Sequence, residues 1–360
     1  MRYVLIGDGD SPHLLKWARA LGATPGIELW AVSSRGFAPG FDSVVPAVRR
    51  LALNTQPNAG GGNLAVLRHL PRLASWLRSV DAAWLHAHYL TSHGSLAWLA
   101  QSLLGVRGRL VGSAWGSDIL VTPQKNLLMR WLTSRVLRHC ALTTSDSQVM
   151  AERMRGLGAR EVMVFPFGLE ALPEACAQKL PQLFFANRGL EPLYAPQRVL
   201  TLFAQICKTW PDARLVMANS GSLLLDLQAQ VAHLGLAQQV QFVGRLDAPT
   251  QALHYARSQW YLSLPSSDSV AVSVLEAMAH GCIPLLSDLP ANRELVQDDV
   301  NGAIVANDSS ISPQKLDALA LKAQGIAQVN RAWVQEHALF APSVQAFVQR
   351  LVALSGAELS

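Results

Sequence analysis

The sequence predicts two doubly wound α/β domains in tandem, and three observations indicate this fold class. The chain has 360 residues, which is more than one ordinary domain core contains. Half of the residues are hydrophobic and 15% are charged, as is typical of a folded globular protein. Short apolar runs alternate with longer segments of helical periodicity in both halves of the chain. Such alternation predicts parallel sheets flanked by helices, whose ligands bind at the carboxyl ends of the strands.

The domain boundary follows from a break in this alternation. The pattern begins with the apolar run "YVLIG", weakens in the proline-containing stretch around residues 169–181, and restarts with "QLFFANRG". We therefore expect a Rossmann-like N-terminal domain over 1–168, a linker over 169–181 and a second Rossmann-like domain from residue 182. Two such domains in tandem predict a ligand cleft between them.

Composition indicates an intracellular protein without a membrane span. The four cysteines have no CxxC spacing, which favours reduced thiols over a disulfide scaffold or a zinc ribbon; they are Cys140, Cys176, Cys207 and Cys282. The apolar run at the N-terminus is too short for a signal peptide, and no stretch of about 20 apolar residues exists. A cytoplasmic location is expected.

Charge is distributed unevenly between the two halves. Residues 1–168 contain 18 Lys and Arg against 9 Asp and Glu, whereas residues 169–360 contain 12 against 16. A basic first half suggests an acidic partner such as phosphates, nucleic acid or an anionic membrane, and an ordinary solvated surface is the alternative. Helical segments around Arg68, Arg72 and Arg78, and around Lys125, Arg130, Arg135 and Arg138, carry these charges.

The first strand ends in the loop "GDGDSPH". Its Gly7-x-Gly9 is part of a dinucleotide fingerprint, but Pro12 stands where the third small residue belongs, which disfavours a nicotinamide site. A glycine turn that brings backbone N–H groups near a ligand is still expected.

Three histidines follow one another in "HAHYLTSH". His86 and His88 stand at i and i+2 of a predicted strand and therefore point to the same side, with His93 close behind. This pattern is compatible with a metal site, with one functional histidine, or with structural hydrogen bonds. His88 is nearest the carboxyl end of the strand and is the preferred functional candidate. Asp118, after the next strand, is expected either to cap a helix or to contact a ligand.

The second half places an arginine and two acids at predicted strand ends. Arg188 follows the first strand of this half, where its guanidinium suits a phosphate; a surface pair with Glu191 is the alternative. In "SDSVAVSVLEAMA", a helix is expected from about Val270 to His280, with Ser266 to Asp268 able to cap it. Its N-terminus favours a phosphate, whereas Asp268 and Glu276 suit hydroxyl groups. A nucleotide sugar satisfies all of these groups, although a helix cap for Asp268 and a buried structural role for Glu276 are the plainer interpretations.

These motifs resemble glycosyltransferase family 4, a group of retaining enzymes with the GT-B fold. The strongest match is "SSDSVAVSVLEAMAHGCIPLLSD", which is similar to the E-x7-E signature, here Asp268-x7-Glu276, followed by G-x-P. Supporting matches are "SPHLLKWARALG", "LHAHY", "WGSDIL" and "FVGRLDAPTQALHYARS". The tail resembles the family's C-terminal helices, so the resemblance implies a second domain over 182–335 and a helix over 336–360 that returns to the first domain.

The resemblance implies a role for each matching position. Glu276 would hold the donor ribose, Asp268 the transferred sugar, Arg188 the diphosphate, and His88 the reacting sugar. The remaining donor-side positions are Gly7, Gly9, Val243, Gly244, Arg245, Leu246, Ser269, Val270, Ala271 and Val272, and the acceptor-side positions are His13, His88 and Asp118. No metal ligand, no obligatory metal and no cofactor besides the donor substrate are expected.

Two departures from the family pattern concern the donor. The first signature acid is Asp268 rather than Glu, which shortens its reach by one methylene. Tyr194 stands about six residues after Arg188, where the family often has Lys, so one cation is missing.

The resemblance implies a retaining hexosyltransferase that moves a sugar from a nucleotide-diphosphate sugar to a glycan or lipid-linked acceptor, in cell-surface polysaccharide or lipopolysaccharide synthesis. Nucleic acid is not an expected partner. Peripheral contact with the anionic inner face of the cytoplasmic membrane is expected instead. Four alternatives remain open: an epimerase or a phosphorylase of the same fold, a metal-dependent hydrolase using His86, His88 and His93, and a non-catalytic sugar-nucleotide binder.

Overall fold

The computed structural model describes residues 1–55, 67–174, 178–306 and 309–356. The chain divides into two compact units, Met1–Phe165 with Phe340–Ser360, and Pro166–Leu339. Cys176 lies outside the described residues.

The first unit is built on a parallel sheet with the order β3-β2-β1-β4-β5-β6-β7. Its strands are β1 (Arg2–Gly7), β2 (Glu28–Ser33), β3 (Arg50–Ala52), β4 (Trp84–His88), β5 (Arg109–Ser113), β6 (Leu142–Ser145) and β7 (Val162–Val164). Its helices are α1 (Pro12–Gly22), α2 (Leu70–Val80), α3 (Ser95–Leu104), α4 (Ser117–Leu120), α5 (Thr122–Lys125), α6 (Leu127–His139) and α7 (Gln148–Gly156).

Continuous burial along β1 is what an interior strand of a parallel sheet requires. Tyr3, Val4, Leu5 and Ile6 are each at most 1% exposed, and strands covered by helices on both faces need such unbroken apolar runs. The C-terminal helix Phe340–Ser355 belongs to this unit, where Phe340 and Phe347 contact the ring of Trp17 at centroid distances of 5.0 and 5.3 Å.

The second unit contains another parallel sheet, with the order β10-β9-β8-β11-β12-β13. Its strands are β8 (Leu180–Ala186), β9 (Arg214–Ala218), β10 (Val240–Gly244), β11 (Ser258–Ser263), β12 (Ile283–Ser287) and β13 (Ala303–Val305). Its helices are α8 (Pro196–Thr209), α9 (Leu224–His233), α10 (Ala248–Arg257), α11 (Val272–Ala279), α12 (Pro290–Leu295), α13 (Pro313–Leu321) and α14 (Ala323–His337), and the C-terminal helix of the first unit is α15.

The predicted class of two parallel-sheet α/β units is confirmed, with local corrections to the helices. Arg72 and Arg78 lie in α2 as expected, and Pro71 lies in its first turn, where the missing N–H costs no helical hydrogen bond. The helix predicted from Val270 begins at Val272 with Ala271 as its N-cap, and no side chain caps it. The cap expected from Ser266 to Asp268 was therefore wrong, because these residues lie too far before the first turn.

Candidate functional site

Arg188 and Asp268 form a direct ion pair in the second unit. Arg188 follows β8 and Asp268 follows β11, the neighbouring strand, so both residues stand at the carboxyl edge of one sheet. The guanidinium Nη2 lies 2.5 Å from Oδ2 of Asp268, and Nη1 donates to Oγ of Ser273 at 3.2 Å. The alternative pairing with Glu191 is wrong, since Glu191 accepts hydrogen bonds from the backbone N–H and the hydroxyl of Ser222.

Tyr194 lies against the arginine at the position where the family often has Lys. The guanidinium carbon of Arg188 is 4.4 Å from the centroid of the Tyr194 ring, which is the geometry of a cation–π contact. The second cation is thus replaced by an aromatic face that holds the first one.

Asp268 is held as the partner of this arginine. Its Oδ1 accepts the N–H of Ser269 at 3.0 Å, while Oδ2 faces Arg188. Burial raises the pKa of the Asp268 carboxyl, and the guanidinium of Arg188 opposes that rise. Because Arg188 already occupies Oδ2, the predicted contact of Asp268 with sugar hydroxyls stays a prediction.

Glu276 accepts hydrogen bonds from two side chains of α10. Its Oε2 lies 2.9 Å from the hydroxyl of Tyr255 and 3.1 Å from Nε2 of Gln251. The Tyr255 hydroxyl oxygen also lies 3.1 Å from the carbonyl of Ser273, which competes with Glu276 for its single proton, and it accepts from Nδ2 of Asn187 at 2.8 Å. Since Ser273 contacts Arg188 through its own hydroxyl, one hydrogen-bonded network connects the arginine to the glutamate.

Sequence reasoning missed Tyr255, Asn187 and Tyr261. Tyr261 is fully buried, donates to Oδ1 of Asn187 at 2.7 Å, and thereby fixes the amide that holds Tyr255. Burial raises the pKa of the Tyr255 hydroxyl well above its ordinary value, so this group stays protonated and donates a hydrogen bond to Glu276. The one available signal was the position of Asn187, directly before Arg188 at a strand end.

The other predicted donor positions lie at carboxyl ends of the same sheet. Ser269, Val270 and Ala271 are buried before α11, and Val272 opens that helix. Strand β10 ends with Val243 and Gly244, and Arg245 and Leu246 follow it. Gly244 has a φ of +70°, and its carbonyl accepts the N–H of Asn219 at 2.6 Å. Their contacts with a donor remain predictions.

In the first unit, His86 and His88 point to the same side of β4, as their spacing predicts. Their ring centroids are 4.4 Å apart. His86 is fully buried, and both ring nitrogens are engaged, Nδ1 with the hydroxyl of Tyr3 at 2.8 Å and Nε2 with that of Ser113 at 2.6 Å. Burial lowers the pKa of His86 to about 3, which indicates a neutral structural residue.

His88 has different surroundings. Its Nδ1 accepts the indole N–H of Trp115 at 3.1 Å, and its buried Nε2 has no hydrogen-bond partner among the described residues. Burial lowers the pKa of His88 well below its ordinary value, and the neighbouring histidines add to the effect.

His93 belongs to a cluster that sequence reasoning did not foresee. Its Nδ1 contacts the carbonyl of His88 at 2.7 Å, and its Nε2 lies 3.5 Å from Oδ1 of Asp8, which also accepts the Ser34 hydroxyl. Burial alone would raise the pKa of Asp8, but His93, Ser34 and the charge of Arg35 lower it to about 2. Among the described residues, no group of three or more His, Cys, Asp and Glu side chains is placed to hold a metal ion.

Asp118 connects the loops that follow β4 and β5. Its Oδ2 accepts the N–H of Leu90 at 2.8 Å, and Oδ1 accepts that of Trp115 at 2.9 Å. It is 2% exposed. The carboxylate thus lies in the first turn of α4 with a structural role, and its contact with an acceptor stays a prediction.

The glycine loop after β1 is packed against its own neighbours. The N–H of Gly9 donates to Oγ of Ser33 at 2.8 Å, so this donor is occupied. A Cβ on Gly9 would lie 2.6 Å from the Phe37 ring, and one on Gly7 would lie 2.9 Å from Leu14, which explains both glycines by close approach. The ring of His13 lies 4.9 Å from that of Trp115. Contacts of Gly7, Gly9 and His13 with substrates remain predictions.

Family models account for most of the chain. The model described as "Glycosyl transferases group 1" matches residues 170–350, and the "Glycosyl transferase 4-like domain" matches residues 9–168. The chain belongs to the group 1 glycosyltransferases. The site built from Arg188, Asp268 and Glu276 falls within the first of these matches.

Solved structures and curated relatives agree with this membership. HepE from Anabaena, solved in complex with UDP, superposes with a TM-score of 0.78 at 15% identity and covers 98% of this chain and 100% of its own, which confirms the GT-B fold. Phosphatidyl-myo-inositol mannosyltransferase from Mycobacterium tuberculosis is 26% identical over 74% of this chain and 71% of its own length. Alpha-monoglucosyldiacylglycerol synthase from Streptococcus pneumoniae is 28% identical over 34% of this chain, and the match spans 28% of that relative.

Proposed function

We propose that this group 1 glycosyltransferase is a retaining hexosyltransferase of family 4 that takes its sugar from a nucleotide-diphosphate sugar. The observation that supports the proposal most is the network joining Arg188, Asp268, Ser273, Tyr255 and Glu276 at the carboxyl edge of one parallel sheet. Carboxyl edges are where such sheets bind ligands, and the network offers a cation for phosphate and a carboxylate for hydroxyls.

Arg188 would stabilise the leaving diphosphate. Breaking the bond from the anomeric carbon to the phosphate leaves negative charge on the leaving group, and a fixed cation lowers the energy of that transition state without an obligatory metal. The Nε–H of Arg188 is buried and has no acceptor among the described residues, so the guanidinium retains a donor for a phosphate oxygen. The acceptor hydroxyl would attack on the same face of the sugar and pass its proton to that diphosphate.

The names of similar proteins suggest which sugar donors to test first. HepE was solved with UDP-glucose, and one curated relative is named as a GDP-mannose-dependent alpha-mannosyltransferase. We therefore propose a hexose linked to UDP or GDP as the donor.

Incubation of the purified protein with isotope-labelled UDP- and GDP-hexoses and a lipid extract is expected to give a new α-linked glycoside and free nucleoside diphosphate. Retention means that the α configuration of the donor persists in the product, which NMR of the anomeric proton reports. A free epimerised sugar would favour the epimerase alternative, and dependence on inorganic phosphate would favour the phosphorylase. A β-linked product would contradict retention.

A surface of the first unit suits a lipid-linked acceptor. The beginning of α6 exposes Leu127, Leu128 and Trp131 at 84%, 64% and 49%, and Arg130 and Arg135 are exposed on the same helix. Apolar side chains flanked by cations are typical of helices that lie on anionic bilayers. No helix in the described part of the chain is long and apolar enough to cross a bilayer. We propose peripheral attachment to the cytoplasmic face of the membrane.

In flotation with phosphatidylglycerol vesicles, the protein is expected to bind at low salt and to dissociate as salt rises, because each exposed Lys or Arg near the surface contributes about 1 kcal/mol. Leu127→Ser is expected to weaken binding, whereas Leu321→Ser, which changes an 89% exposed leucine of the second unit, is not. Equal binding to neutral phosphatidylcholine vesicles, or an equal loss of vesicle binding in both variants, would contradict membrane attachment through this surface.

A further inference from the structure

The contact between Trp115 and His88 determines which ring nitrogen of the histidine carries the proton. The indole Nε1 of Trp115 lies 3.1 Å from Nδ1 of His88. An indole N–H only donates hydrogen bonds, so Nδ1 of His88 must present its lone pair. In a neutral imidazole the other nitrogen then carries the proton, and His88 is an Nε2–H tautomer.

The N–H at Nε2 of His88 finds no hydrogen-bond acceptor among the described residues. His88 is 2% exposed, and its Nε2 has no hydrogen-bond partner among the described residues. Buried donors in native structures are nearly always satisfied, so an unmatched donor at the carboxyl end of β4 indicates an acceptor that a ligand supplies.

The surroundings of His88 keep the ring neutral. Burial contributes most to lowering the pKa of His88, and His86, His93 and His13 add to the effect because each opposes a positive charge on the ring. The acids in this region are engaged elsewhere, Asp118 with two backbone N–H groups and Asp8 with His93 and Ser34.

Trp115 is itself held in place. Asp118 accepts the backbone N–H of Trp115 at 2.9 Å, and its other oxygen accepts that of Leu90, in the loop directly after His88. Tyr89, in the same loop, has a φ of +63° and stacks on Trp115 at a centroid distance of 6.0 Å. A left-handed tyrosine is strained, and such strain persists only where the surrounding contacts impose it.

We propose that Trp115 is a positioning residue that fixes His88 as a hydrogen-bond donor through Nε2. The family resemblance already implies that His88 lies beside a sugar; the new element is that Trp115 determines which ring nitrogen is left to donate to a substrate oxygen. His88 then cannot accept a proton at Nδ1, where Trp115 already donates. The substrate contact rests on the proposed transferase function, whereas the tautomer is a property of the free protein.

The tautomer is tested without substrate. Two-dimensional 15N–1H NMR of the full chain labelled at histidine is expected to show His88 with its proton on Nε2 at neutral pH, the signal being assigned from its absence in His88→Gln. Trp115→Phe is expected to shift His88 away from a pure Nε2–H form. Trp210→Phe removes an indole that donates to Asp317 at 3.2 Å and is expected to leave His88 unchanged. A proton on Nδ1 in the unmodified protein would overturn the proposal.

The role of the N–H is tested by transfer rates. Gln retains a donor near the position of Nε2, whereas Leu does not, so His88→Gln is expected to keep at least about 10-fold more kcat than His88→Leu, the effect of one hydrogen bond made in the transition state. Equal loss in both variants would contradict a donor role. If the unmodified protein transferred no sugar while the tautomer was as proposed, the proposed function would fail and the assignment of the Trp115–His88 pair would stand.

Discussion

Arg188→Ala is expected to lower kcat for sugar transfer about 100- to 1,000-fold, as does the loss of one donor that stabilises charge in a transition state. The guanidinium is fixed by Asp268, Ser273 and the ring of Tyr194, so it need not reorganise when the diphosphate departs. Steady-state kinetics with saturating donor would measure the change. Arg188→Lys is expected to be intermediate, because an ammonium retains the charge but not the fork.

Controls separate this chemical role from a structural one. Removing Arg188 leaves Asp268 buried without its cation, so Arg188→Ala is compared with Arg188→Ala/Asp268→Asn, in which no unpaired charge remains. Both are expected to show the same loss of kcat, about 100- to 1,000-fold, and the double variant is expected to have the higher Tm. Tyr194→Leu is expected to lower the rate less, since it removes only the aromatic face under the guanidinium. Full activity of folded Arg188→Ala would remove Arg188 from the mechanism.

Glu276→Gln is expected to weaken donor binding about 10- to 100-fold, because hydrogen bonds to a charged acceptor contribute about 1.5–3 kcal/mol. The amide has nearly the shape of the carboxylate, so the loss reports charge and hydrogen bonding rather than packing. The amide can still accept the Tyr255 hydroxyl, which contacts Oε2 at 2.9 Å, so the fold is expected to persist. Titration calorimetry with the nucleoside diphosphate alone would measure the effect.

Glu191→Gln is the matched control for Glu276. Glu191 lies at the same edge of the sheet, only three residues after Arg188, but its carboxylate is bound to Ser222. Its replacement is expected to leave the affinity unchanged. If Glu276→Gln bound the nucleoside diphosphate as tightly as the unmodified protein, Glu276 would have a structural role, which is to hold the Tyr255 hydroxyl.

The parallel-sheet units could be predicted from sequence because their signal is local. The run Tyr3–Ile6 is apolar at every position, which a strand buried on both faces requires, and helical periodicity follows it. Arg188 could be placed for the same reason, since a residue after a parallel strand stands at the edge where ligands bind.

The partners of these residues could not be predicted, because they come from distant parts of the chain. Arg188 and Asp268 are 80 residues apart in sequence, and nothing local distinguishes that pair from the nearer Glu191. His86 and His88 look equivalent in "HAHY", yet Tyr3 and Ser113 occupy both nitrogens of one and Trp115 only one nitrogen of the other. The helix start at Val272 was missed because the cap is Ala271, which has no polar side chain to signal it.

Thermal unfolding with a panel of UDP-, GDP-, ADP- and TDP-linked sugars tests the central claim, that the network from Arg188 to Glu276 binds a nucleotide-diphosphate sugar. A ligand present at about 100 times its Kd stabilises the folded state by about 2.7 kcal/mol. At least one sugar of the panel is predicted to raise the Tm in a concentration-dependent way, with the increase much reduced in Arg188→Ala/Asp268→Asn and Glu276→Gln. No increase with any member of the panel, or equal increases in the variants, would contradict the claim.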